Sequence, residues 1–130
     1  MISDVLVEQI ASTIPELEVD QTLFSEHVIT EKGVSVITTS NTPTKGGTNS
    51  EFRTSKLQIM LRGYTAAEGL KLGERLVESA EETNGLFSVS GDALYTIYST
   101  QALGFPILVS DGGYKDISFE VQVNHHRKAI

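Results

Sequence analysis

The chain has 130 residues, 39% of them hydrophobic, no cysteine and a formal net charge of −7. That length suits a single domain with its own core, and the missing cysteines exclude disulfides, thiolate metal sites and cysteine nucleophiles. The apolar runs are far too short to cross a bilayer as helices, and MISDVLVEQ lacks the basic start of a signal peptide.

The charge is unevenly placed. Asp4, Glu8, Glu16, Glu18, Asp20, Glu26 and Glu31 all precede the first basic residue, Lys32, and beyond it acids and bases balance. A phosphate-gripping DNA binder needs a basic patch, so an acidic chain of this kind argues against that class.

In chain order, Ile2–Ile14 reads as a helix, with Ile2, Val5, Leu6, Ile10 and Ile14 on a broad apolar face. Pro15 closes it, because proline pushes the preceding residue out of helical geometry. Leu17–Phe24 alternates as a short strand or extended arm, and 25–30 is either a loop or the start of a hairpin. Val34–Thr39 is β-branched and reads as a strand. Ser40–Glu51, with Pro43, Gly46 and Gly47, reads as a long loop. Its Lys45-Gly46-Gly47-Thr48 does not meet the Walker pattern, which places lysine after the glycines at a helix start.

The organising stretch is Ser55–Ala80. Leu57, Ile59 and Leu61 alternate with Gln58, Met60 and Arg62 along a strand expected over Phe52–Tyr64. Thr65 and Glu68 then form a capping-box pair at the start of a helix over Thr65–Thr83. Ala66, Leu70, Gly73, Val77 and Ala80 set its apolar stripe, Gly69 and Gly73 let it lie close to a sheet, and Asn84-Gly85 stops it. Leu86–Val89 and Ala93–Thr100 flank a turn at Ser90-Gly91-Asp92. Gly104-Phe105-Pro106 breaks the pattern, and Asp111-Gly112-Gly113 marks another turn. Tyr114–Asn124 is the cleanest alternating strand, followed by a basic tail, HHRKAI. This order predicts an α+β fold: one domain over 1–130, an antiparallel β-sheet with two helices packed on one face.

Signs of catalysis are sparse. His125 and His126 are adjacent, so on a strand they face opposite ways and cannot easily share a metal. No HExxH, GxSxG or DxDxDG arrangement occurs, and the pairs Glu81-Glu82 and Glu16/Glu18 read as solvated faces. Neither an enzymatic role nor a cofactor is expected.

Two stretches, LQIMLRGYTAAEGLKLGERLVE and YTIYSTQALGFPILVSDGGYKDISFEVQV, carry a resemblance to the tail terminator and minor capsid proteins of long, non-contractile tailed bacteriophages. One departure is Phe105-Pro106-Ile107-Leu108, near which that family more often has a glycine. The resemblance implies a structural virion protein at the head-proximal end of the tail, made in the host cytoplasm. It would be a homo-hexameric ring that caps the tail tube protein, stops polymerisation and receives a head-completion protein. Carried onto this sequence, it makes Thr42, Lys45, Thr48, Asn49, Glu51 and Arg53 assembly contacts. Arg62, at a strand end, would clamp an acidic neighbour. Glu16, Glu18 and Asp20 would line or flank the channel, where six copies at −7 carry −42 and passing DNA does not stick. A head–tail connector of the same assembly, or a monomeric ligand-binding α+β domain, are the competing readings.

Overall fold

The computed structural model describes residues 1–29, 31–43, 52–111 and 114–130, apart from the side chains of 109–111 and 114–115. Among these residues lie two helices, α1 (Ile2–Thr13) and α2 (Ala66–Glu81), and seven strands. The strands are β1 (Leu23–Ser25), β2 (Gly33–Pro43), β3 (Phe52–Arg62), β4 (Phe87–Ser90), β5 (Ala93–Ala102), β6 (Ile107–Asp111) and β7 (Tyr114–Ala129). The sheet runs β1-β2-β3-β7-β5-β4, with β6 also on β7.

The two strands with the strongest alternation, β3 and β7, are its centre. They pair antiparallel, so that Leu57 meets Val121, Ile59 meets Phe119 and Leu61 meets Ile117, all buried. Val34 and Val36 of β2 extend this layer. Each apolar side chain taken wholly out of water here stabilises the fold by about 1.5–3 kcal/mol. The inner face of the sheet wraps the helices. α1 touches β1 and β2 near one end of the sheet and β4 at the other, so the sheet is curled around it. The helices meet each other through Thr13 Oγ1 and Ser79 Oγ, 2.6 Å apart.

Several expectations need correction. The sheet is mixed: β1 runs parallel to β2, with Leu23 against Val34 and Ser25 against Val36. The chain therefore does not make a hairpin between them. Glu26, at φ 57°, turns it back, and its carboxylate accepts the Thr38 amide at 2.7 and 2.9 Å. A side chain has replaced a strand partner where β1 ends. Of Leu17–Phe24, expected as a short strand or extended arm, only Leu23 and Phe24 lie in β1, because Glu18 O accepts three turn amides, from Gln21, Thr22 and Leu23.

Ser40–Pro43, read as loop, continues β2 past a bulge between Thr38 and Ser40. Polar threonines and serines can pair with β3 there because no core layer is required beneath them. The buried stripe of α2 is Gly69, Gly73, Leu76, Ser79 and Ala80, while Ala66 is exposed and Leu70 largely so. Gly73 and Ala80 are buried and both glycines face the sheet as expected, but Leu76 and Ser79 take the inner face in place of Ala66 and Leu70. At Gly73 a Cβ would stand 2.9 Å from the Pro106 ring, and at Gly69 it would collide with the Ile117 side chain. Thr65 caps the helix as expected, its Oγ1 accepting the Glu68 amide at 3.2 Å. β7 does not stop at Asn124 but runs on through the basic tail to Ala129, paired with β5.

Candidate functional site

The inner rows of β3 and β7 change character towards one end of the sheet. From the apolar layer, β3 passes through Ser55 to Arg53, and β7 passes through Val123 to His125 and Arg127. Arg53 lies opposite His125, and Arg127 opposite Tyr95. With Thr38 and Asn41 of β2 and the first residues of α1, they line a cavity of about 400 Å³ at the mouth of the curled sheet.

His125 is 2% exposed. Its Nε2 lies 2.9 Å from Ser55 Oγ, and its ring packs 5.9 Å from that of Tyr95. Among the described residues, neither its Nδ1 nor the Thr38 hydroxyl, both buried, has a hydrogen-bond partner. Burial first, then the charges of Arg53 and His126, push the His125 pKa down to about 4, so the ring is neutral near pH 7. Among the described residues, no carboxylate pairs with Arg53, and Arg127 has one contact, to Asp92 at 3.3 Å. The result is a concave site whose positive charge is incompletely balanced, inside an acidic protein.

A second feature is a strand edge. β5 and β6 lie along the same side of β7, interrupted at 103–106, where Leu103 N still donates to Glu120 O at 2.8 Å. Segment 84–90 covers the outer side of β5 as far as Thr100, through the β4 ladder and the Asn84 side chain. Beyond that, β6 pairs only with β7 among the described residues. Leu103, Phe105, Ile107 and Leu108 are exposed along this edge, Phe105 by 87%. A separate apolar patch sits on the outer face near the opposite end of β7. Phe52 stacks on Tyr98 there at 5.9 Å and lies tilted against His126 at 4.6 Å, beside exposed Phe87 and Val89.

The residues singled out from sequence are scattered. Thr42 is exposed on β2, its hydroxyl donating to Thr54 O at 3.4 Å. Lys45, Thr48, Asn49 and Glu51 lie outside the described residues. Arg53 is in the cavity. Arg62, expected to reach an acidic neighbour, is held within the chain: Nε and Nη2 donate to the two Asp116 oxygens at 2.8 and 2.7 Å, and Nη1 donates to Ile29 O at 2.8 Å.

Glu16, Glu18 and Asp20 are exposed but do not share one site. Glu16 pairs with Arg75, whose hydrogen bond holds its carboxyl below the usual carboxylate range. Both flank a groove of about 720 Å³ with an apolar floor at Leu17, Tyr64 and Leu72, where Lys32 stands 4.9 Å over the Tyr64 ring. Asp20 instead joins Asp4 and Glu8 around a separate hollow.

Sequence reasoning missed the cavity's other members, Thr38, Asn41, His125 and Arg127. Continuing the period of two from Val121 and Val123 onward would have placed His125 and Arg127 on the inner row. Thr38 and Asn41 carried no such signal, because the bulge between them and β3 shifts the register. Among the described residues, no group of three histidine or acidic side chains is placed to hold a metal ion, and no helix is long and apolar enough to cross a membrane. No family model and no curated protein matches the chain.

Proposed function

We propose that this protein is a structural subunit that closes into a ring on the tail tube of a long-tailed bacteriophage. There it ends tube polymerisation and offers the surface to which the head is joined. The observation that carries this reading is the open apolar edge at Leu103–Leu108, set well apart from the apolar patch of Phe87, Val89 and Tyr98. Phe87 is aligned through Thr96 with His126, and Ile107 with Ser118. Eight residues of β7 separate those rows, about 26 Å of strand.

Two different sticky surfaces on one subunit favour head-to-tail contacts, which generate a ring when the rotation closes. An isologous dimer would instead need one self-complementary patch. The β6 edge, which pairs only with β7 among the described residues, can also accept a strand from a neighbour, which adds main-chain hydrogen bonds to the apolar contact. The resemblance of 57–78 and 95–123 to tail terminators supplies the identity of the assembly, and the acidic surface fits a conduit that does not bind DNA.

Tails assembled without this protein test the role. The expected result is overlong tubes of variable length. Tubes of normal length that fail to join heads would point to a connector instead, and normal, joined particles would contradict both.

A further inference from the structure

We infer that the cavity at the mouth of the curled sheet is a binding site for the oxyanion head group, phosphate or carboxylate, of a small organic molecule. This inference is independent of the ring reading. Three observations converge on it. Arg53 and Arg127 supply guanidinium groups that recognise two oxygens at once, and Arg53 has no carboxylate partner among the described residues. Met1 and Ile2, at the start of α1, line the same cavity, and the Met1 amino group is already paired with Asp4 at 2.9 Å, so the charge that recommends the site is that of the two arginines.

The unsatisfied groups are the most specific sign. Three buried side-chain polar atoms lack a partner among the described residues, and two of them, His125 Nδ1 and Thr38 Oγ1, belong to residues lining this cavity. A buried polar atom left unpaired costs about 1–3 kcal/mol, so native proteins rarely keep two in one place without a ligand or a bound water to meet them. The ring and hydroxyl chemistry suit an acceptor. If Ser55 Oγ donates to His125 Nε2, the neutral imidazole carries its proton on Nδ1 and can offer it to an oxyanion; Thr38 offers a hydroxyl. Asn41 adds an amide donor at the rim. The volume, about 400 Å³, lies at the lower end of the range used by small ligands.

Calorimetric titration of the full chain with sodium phosphate and with sodium succinate, against sodium chloride at matched ionic strength, tests this. The expected result is saturable one-to-one binding of at least one of the two. The tighter arm identifies the head group, and Arg53→Gln weakens it at least tenfold. Arg75→Gln, in the separate groove, leaves it unchanged. Absence of saturable binding in both arms, or an Arg53→Gln titration identical to wild type, overturns the assignment. Histidine side-chain NMR on the unaltered protein provides a second reading that needs no variant. Saturating ligand should raise the His125 pKa from its value of about 4, and an unmoved value overturns the assignment.

Discussion

Arg62 and Asp116 face each other across β3 and β7 with side chains only 12% and 6% exposed, joined by two parallel hydrogen bonds. Such a pair is worth little compared with an apolar substitute, yet breaking it strands a charge out of water. Arg62→Ala should therefore cost about 3–5 kcal/mol in a denaturant titration, and adding Asp116→Ala should recover part of the loss. A fall of under 1 kcal/mol would mean that water reaches Asp116.

His125 makes a pH prediction. Its folded pKa, about 4, lies below the ordinary 6.5, so the unfolded chain binds the extra proton first. Its contribution is complete above pH 6.5 and fades as pH falls towards 4, by up to about 3 kcal/mol. Urea midpoints measured from pH 7 to pH 5 should fall, and should fall less in His125→Phe. The basic tail concealed this residue. HHRKAI reads as a charged end, and its pairing with β3 and β5 shows that the alternation of Val121 and Val123 runs on through it.

At the scale of elements, α1, α2, β3, β5 and β7 were legible because each carries a strong period and a punctuating residue such as Pro15, Thr65 or Gly91. The close approach of α2 at Gly69 and Gly73, where only hydrogen fits against Ile117 and Pro106, was legible too. The exposure of Leu70 and Ala66 was not: they look like core residues by hydrophobicity, yet Leu76 and Ser79 take the inner face beside the glycines. Helix propensity favours alanine over glycine by about 1 kcal/mol. Gly73→Ala should nonetheless destabilise the protein, since the rigid Pro106 ring would have to move, with overpacking costing about 1–3 kcal/mol. A rise in thermal midpoint would show that α2 sits further from the sheet. β1 escaped the sequence because a three-residue strand has no period, and its parallel pairing depends on Glu26 replacing a strand partner.

For the whole molecule, the curled sheet leaves two apolar surfaces uncovered among the described residues. Gly104-Phe105-Pro106 reads in the sequence as a break in the pattern; the exposure of Leu103–Leu108 on an edge that no other described strand covers is a property of pairing, which composition does not record. Leu108→Glu should leave the isolated fold within about 0.5 kcal/mol of wild type, because an exposed site has little to lose, while preventing subunit contact.

The most direct measurement is therefore the mass and image of the purified protein by light scattering and electron microscopy, alone and with tail tubes, beside Leu108→Glu. The account predicts closed rings of six times the 14.1 kDa chain, in solution or on tube ends, that are lost in the variant. A wild-type chain that stays monomeric at every concentration and places no ring on tubes would contradict it.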